Sequence, residues 1–179
     1  MCLVRPLRQG ALIAVADGVG HGPEAVEAAR RALELLEESV GEHPMRSLRR
    51  CHEGLEGTRG VALSLAWIDA GLDAMTWIGV GNVEGVLQRA DREASPAQEQ
   101  LLLRAGVVGR QLPTLLALIV PVSPGDTLVF ATDGIRGDFA SDLRVIEAPE
   151  RAAQRILAQH GSGTDDALVV VARYRGGSA

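Results

Sequence analysis

Lysine is missing from this chain of 179 residues, and all 18 of its cationic side chains belong to arginine. Without lysine, the chain can form neither a Walker A phosphate loop nor a Schiff base. Aromatic residues make up only 3% of the composition, which is a poor basis for a base-stacking surface. The net charge of −5 also argues against a general polyanion binder. The composition therefore excludes lysine chemistry, and no nucleic-acid partner is expected.

Cysteine and long apolar runs are also scarce. Cys2 and Cys51 form no C-x-x-C pair and are too few for a cysteine-rich zinc site. We expect two structural thiols in a cytoplasmic protein, with a disulfide between them as the alternative. No apolar run approaches the roughly 20 residues of a membrane helix, so neither a membrane partner nor a secretory signal is expected. The length and the lack of linkers or repeats predict a single domain over 1–179.

The hydrophobic pattern predicts strands that follow one another with short breaks, together with three helices. The residues around 91–100 are expected to form a polar loop, and Pro124-Gly125-Asp126 a hairpin turn between two strands. Because several strands succeed one another directly, two packed sheets with helices outside fit better than a βαβ fold. Strands are predicted over 10–16, 61–69, 74–81, 83–90, 114–122, 126–132 and 167–174, and helices over 23–40, 44–55 and 149–160.

Acidic residues recur at the ends of these strands. Asp17 ends an apolar strand and opens a glycine-rich turn, Asp133 closes a later strand, and Asp165-Asp166 precedes the last one. Each of them alone is compatible with an ordinary turn residue. Together they indicate a site for hard divalent cations, which prefer several converging carboxylate and carbonyl oxygens. Two such ions can share and activate a water for attack on phosphorus.

The histidines give a weaker signal than the aspartates. His21 lies in the glycine-rich turn, where it either contacts metal or substrate or is simply exposed. His43, His52 and His160 are expected at solvated helix edges, without the spacing of a zinc site.

The glycine-rich turn itself invites two other interpretations. As a dinucleotide-binding turn it lacks the third glycine, because Pro23 stands at that position. As a histidine-kinase-like ATPase box it is out of register, and the single asparagine, Asn82, lies downstream rather than upstream.

These motifs, in this order, resemble the signatures of the type-2C metal-dependent protein phosphatases. The resemblance is carried by ADGVGHG at 16–22, ATDG at 131–134 and DDALVVV at 165–171. RGVAL at 59–63 and VGNVEGVL at 80–87 resemble the strands between them. The compact size and the VGNV phrase look most like the RsbX-type members, which act on phosphorylated proteins of the bacterial stressosome.

The resemblance implies an α+β fold, a four-layer αββα sandwich with two central, mostly antiparallel sheets flanked by helices. It implies two Mn²⁺ or Mg²⁺ ions bridged by Asp17, with Gly18 giving a backbone carbonyl and Asp133 and Asp165 completing the catalytic carboxylates. Asp166 is then a neighbour that supports these ligands. The implied substrates are phosphoserine and phosphothreonine in STAS-domain stressosome proteins of the RsbS and RsbR kind.

The chain departs from the family pattern in two places. Leu168 replaces the threonine that usually follows the last aspartates, which we expect to change packing only. Residues 1–16 contain no Asp or Glu, although the family carries an acidic residue on its N-terminal strand, and Arg5 and Arg8 are the candidates there for a phosphate-binding arginine. The missing acid keeps a second hypothesis open, a non-catalytic phosphoprotein-binding module on the same fold. A third, an enzyme acting on nucleotides or small phosphates, would need more aromatic residues.

Overall fold

Two sheets form the middle of the molecule and helices cover their outer faces, in a computed structural model that describes residues 1–144, 146–163 and 165–177. A 3-10 helix over Gly137–Asp142 precedes the last α-helix. In chain order the other elements are β1 (Cys2–Leu7), β2 (Gly10–Gly18), α1 (Pro23–Glu38), α2 (Pro44–Gly54), β3 (Val61–Asp69), β4 (Ala74–Val80), β5 (Glu84–Gln88), β6 (Gln98–Gln100), β7 (Leu103–Arg104), β8 (Leu118–Pro121), β9 (Thr127–Ala131), α3 (Pro149–His160) and β10 (Val169–Arg173).

The larger sheet runs in the order β1-β2-β3-β4-β7, and β8 also pairs with β4. Its pairs are antiparallel except for the short parallel pair of β4 with β7. The smaller sheet has the order β10-β9-β5-β6, with antiparallel pairs throughout. The predicted αββα sandwich of two mostly antiparallel sheets is therefore confirmed.

Alternation along the strands sorts their side chains into separate hydrophobic layers. In β2, Leu12 and Ala14 face α1 and α2, whereas Ile13 and Val15 face the second sheet. In β9, Phe130 points between the sheets and Val129 toward α3. This is the period of two expected for a strand that is buried on both faces. The three layers fix the ends of β2 and β9, where the acidic residues lie.

Several local predictions were wrong. β1 was not anticipated, because this edge strand is mostly exposed and is held by its pairing with β2. The turn at Pro124-Gly125-Asp126 does not close a hairpin, since β8 and β9 belong to different sheets. The apolar run 114–122 is strand only over Leu118–Pro121, and the loop predicted around 91–100 includes β6. No helix in the described residues has the length and apolarity that a membrane crossing requires.

Candidate metal centre

Asp17 lies near the end of β2, where the strand runs into the turn before α1. It follows Ile13 and Val15 on the face between the sheets and is partly buried. Gly18 comes next, and a Cβ on it would lie 2.0 Å from the carbonyl oxygen of Ala25. Only glycine therefore allows the first turn of α1 to approach the strand end so closely.

Asp133 is brought to the same end of the sandwich by β9 and β10. The buried Thr132 is clamped to Leu168: its amide donates to the Leu168 carbonyl at 3.1 Å, and its hydroxyl accepts from the Leu168 amide at 2.9 Å. Gly134 is also constrained, because a Cβ on it would lie 2.4 Å from the Asp166 carbonyl oxygen. The ATDG motif thus positions Asp133 against the segment that contains Asp166.

Asn82 is a site residue that the sequence analysis missed. Its side-chain amide donates to Oδ2 of Asp133 at 2.5 Å, across 51 residues of chain. Asn82 lies in the loop between β4 and β5, within the VGNV phrase that carried part of the family resemblance. That phrase was the available signal, but it was interpreted only as part of the family's strands, with Asn82 as the break between two of them.

The carboxylates influence one another at this end of the sandwich. Burial raises the pKa of Asp17, and the nearby Asp133, Asp165 and Asp166 raise it as well, while the amino terminus opposes the shift. Asp165 and Asp166 are exposed, and the Asp166 amide donates to Oδ1 of Asp165 at 2.8 Å. The structure therefore brings all four predicted aspartates to one region of negative charge.

A small cavity of about 140 Å³ opens beside Asp17. Gly18, His21 and Asp166 also line it, so the turn histidine faces this cavity, whereas neither Asp133 nor Asp165 is part of the lining. Across the described residues, no group of three or more acidic, histidine or cysteine side chains is already gathered as a metal-binding cluster. Like charges repel, so a cation would have to draw these carboxylates closer together.

The chemistry of these donors fits a hard divalent cation. The side chains that converge are carboxylates, and oxygen donors are what Mg²⁺ and Mn²⁺ prefer. Burial raises the pKa of Asp17, the charges of Asp133, Asp165 and Asp166 add to this effect, and the amino terminus opposes it. The residues that could hold metal are Asp17, Asp133, Asp165 and the backbone of Gly18, and their assignment as ligands remains a prediction.

His160 joins the two segments that carry the later aspartates. It was predicted to be solvated, yet only 5% of the residue is exposed. Its Nδ1 lies 2.8 Å from Oδ1 of Asp138, and its Nε2 lies 3.0 Å from Oδ2 of Asp142. The hydrogen bond with His160 holds the pKa of Asp138 below its usual range. The segment after Asp133 is thereby fixed to the end of α3, from which the chain continues to Asp165.

The arginines proposed for phosphate binding lie elsewhere. Arg5 points along α1, with Nε 3.9 Å from a carboxylate oxygen of Glu37, and Arg8 lies at the β1–β2 turn, beyond the opposite end of β2 from Asp17. Leu168, the other departure, is partly buried between the sheets, as expected for a packing change.

The two-sheet sandwich is the fold of the PP2C class of phosphatase domains, which superpose on this chain. The family described as Stage II sporulation protein E (SpoIIE) matches residues 8–175. The chain belongs to the SpoIIE family, which confirms the predicted type-2C resemblance.

Individual relatives agree with this assignment. The phosphoserine phosphatase RsbX of Bacillus subtilis (strain 168) is 24% identical over 163 residues, which cover 89% of this chain and 79% of RsbX. A chain solved in work on the bacterial stressosome, as a modular system adapted to control secondary messenger signalling, superposes with a TM-score of 0.84 at 29% identity, over 97% of this chain and 90% of that one. RsbX in complex with magnesium superposes with a TM-score of 0.83 at 22% identity, over 96% of this chain and 84% of that one.

Proposed function

We propose that residues 1–179 act as one metal-dependent phosphatase domain, which hydrolyses phosphoserine and phosphothreonine in proteins. The observation that carries this proposal is the convergence of Asp17, Asp133, Asp165 and Asp166 at one end of the sandwich in a chain of the SpoIIE family. The match to the phosphoserine phosphatase RsbX supports the reaction, and the RsbX complex with magnesium supports a divalent cation. We further propose two ions, Mn²⁺ or Mg²⁺, in a cytoplasmic enzyme.

The side chains have separate roles in this proposal. Asp17 would be a ligand of both ions, and Asp133, Asp165 and the Gly18 carbonyl would supply the other protein ligands. When bound, the ions would neutralise charge on the phosphoryl group and activate a water for in-line attack. The Asn82 side-chain amide donates a hydrogen bond to one carboxylate oxygen of Asp133 and so fixes the orientation of that carboxylate.

Two other side chains do not serve as nucleophiles for a phosphoenzyme. Burial raises the pKa of the Cys51 thiol to about 12, which keeps it protonated. Ser64 is buried and donates its hydroxyl hydrogen to the Val83 carbonyl at 2.7 Å. Direct attack by water is therefore the mechanism we propose.

The proposed substrates are phosphorylated STAS-domain proteins of the stressosome, of the RsbS and RsbR kind. The support is the likeness to RsbX and to the chain solved in the stressosome work. Few aromatic residues are available to grip a short peptide, so we expect binding energy to come from a folded protein surface.

The test is hydrolysis of a phosphorylated STAS-domain protein, a phosphopeptide and an aryl phosphate, each with Mn²⁺, with Mg²⁺ and with excess chelator. We expect turnover that needs added metal and favours the folded phosphoprotein. Full activity in chelator would refute the metal mechanism, and equal rates on protein and peptide would refute the substrate assignment. Tight binding of the phosphoprotein without hydrolysis under all metal conditions would identify a non-catalytic binding module instead.

A further inference from the structure

Arg59 lies beside the glycine-rich turn that follows Asp17. Its Nη1 is 2.8 Å from the position that a Cβ on Gly20 would occupy, so a side chain at Gly20 would displace the guanidinium. The adjoining backbone is fixed, because the Val19 amide donates to the Gly60 carbonyl at 3.0 Å. Gly20 also lines the cavity beside Asp17. The guanidinium is therefore a cation at the edge of the region that holds the four aspartates and the amino terminus.

Glu24, in the first turn of α1, is the present partner of Arg59. The Arg59 Nε donates to Oε2 of Glu24 at 2.6 Å, but the two side chains are 44% and 74% exposed. An ion pair with this exposure contributes little free energy, since solvent screens it and both side chains lose rotamer freedom. Arg59 can therefore exchange Glu24 for a more highly charged partner at small cost.

An open groove of about 450 Å³ adjoins this ion pair. Glu24, Thr58, Arg59 and Arg110 are among the residues that line it. The groove lies between the start of α1 and the segment that leads into β3, and the Arg59 guanidinium that borders it is accessible from solvent. A guanidinium offers paired N–H donors that match the oxygens of a phosphoryl group.

We propose that Arg59 binds the phosphoryl group of the substrate, and that Glu24 holds the guanidinium while the site is empty. This inference rests on the proposed phosphatase function and assigns a substrate-binding residue to that site. Glu24 then competes with substrate for Arg59. Substitutions of Arg59 and of Glu24 should therefore change the affinity for substrate in opposite directions.

The experiment measures kcat and KM for an aryl phosphate with Mn²⁺, and the inhibition constant of inorganic phosphate. Arg59→Ala should raise both KM and the inhibition constant about tenfold, as expected for the loss of a hydrogen bond between charged groups. Arg59→Lys should raise KM and the inhibition constant less than Arg59→Ala does, because lysine keeps the positive charge but lacks the paired N–H donors of a guanidinium. Glu24→Gln should lower KM roughly two- to threefold by releasing Arg59.

Glu27→Gln is the matched control, because Glu27 borders the same groove but is bonded to Arg30, whose Nε lies 3.0 Å from Oε2 of Glu27. It removes the same charge and should leave KM unchanged. If Arg59→Ala and Glu24→Gln both raise KM, or if both only lower the melting temperature, the pair is structural and the proposal is wrong. Equal effects of Glu24→Gln and Glu27→Gln would mean general electrostatics and would also overturn it.

Calorimetric binding of inorganic phosphate to the Mn²⁺-loaded protein separates this proposal from the proposed function. A wild-type chain without turnover would refute the phosphatase assignment. In that case, phosphate binding weakened by Arg59→Ala and strengthened by Glu24→Gln would still support Arg59 as an anion-binding residue. Phosphate binding that is unaffected by Arg59→Ala would refute the assignment of Arg59, whatever the enzyme's turnover.

Discussion

Asp17→Asn should make the metal-free protein more stable while removing its activity. Asp17 is half-buried, its pKa is raised by burial and by three neighbouring carboxylates, and asparagine keeps its size without the charge. By Coulomb's law, any two like unit charges about 6 Å apart repel by roughly 1–3 kcal/mol at an effective dielectric constant between about 80 and 20. The amino terminus offsets part of this repulsion at Asp17. Allowing for solvent screening at this partly exposed site, we expect a gain of about 1 kcal/mol, or a melting temperature about 2–4 °C higher in chelator.

Metal should reverse this order of stability. At a Mn²⁺ concentration near 100 times its dissociation constant, the wild-type chain should gain about 2.7 kcal/mol, whereas Asp17→Asn should gain much less. Turnover should fall on the order of 10³-fold or more, because a catalytic metal supplies several kcal/mol to the transition state. The assay is turnover at saturating Mn²⁺ together with melting curves in chelator and in metal.

The control for this comparison is Asp91→Asn. Asp91 is exposed in the loop after β5, and its Oδ1 accepts from the Glu93 amide at 2.9 Å, a bond that asparagine can keep. The control should match the wild-type chain in both melting and turnover. The reasoning fails if a folded Asp17→Asn protein keeps turnover within tenfold of wild type, or if it melts below wild type in chelator.

Asn82→Ala should weaken Mn²⁺ binding about tenfold by freeing the carboxylate that Asn82 contacts, and unchanged affinity in calorimetry would contradict this. One thiol per native chain should react with a disulfide reagent at pH 8, because Cys2 is exposed while Cys51 is buried and its pKa is raised to about 12. If two thiols react before the protein unfolds, Cys51 is accessible and the prediction is wrong. The lowered pKa of Asp138 stabilises the fold above the ordinary pKa of aspartate, and the effect is lost as the pH falls through the lowered value. Asp138→Asn should therefore be less stable than wild type toward urea at neutral pH, and the two stabilities should become equal in acid. A difference in stability that persists in acid would refute the role of the hydrogen bond between Asp138 and His160.

Elements with strong local signals were predicted well. The helix over 149–160 agrees with α3 at both ends, because Pro149 starts it and its apolar residues follow the helical period. β1 gave no such signal: its edge position leaves most side chains exposed, and its hydrogen bonds come from β2. β8 was paired wrongly because its partner, β4, is distant in sequence, and a turn motif cannot indicate to which sheet each strand belongs.

Some residues of the candidate site could likewise be predicted from local sequence signals, and others could not. The strand-end aspartates could be recognised from order and motif, because strands of one sandwich bring their ends together. The contacts that Asn82 and His160 make could not be predicted, since they join segments that local periodicity does not relate. Burial of His160 depends on the 3-10 helix Gly137–Asp142, which supplies both of its carboxylate partners.

The segments that carry the four aspartates must be held together by contacts other than those of the carboxylates. Four aspartates repel one another there, yet the segments that carry them are held by contacts that involve no charge on the site. The Thr132 amide donates to the Leu168 carbonyl, and the Leu168 amide donates to the Thr132 hydroxyl. The Ser162 amide donates to the Gly134 carbonyl at 2.8 Å. His160 adds a link between the 3-10 helix and α3. These hydrogen bonds do not depend on the charge of the site, so the fold would hold the aspartates near one another whether or not the proposed cation is bound.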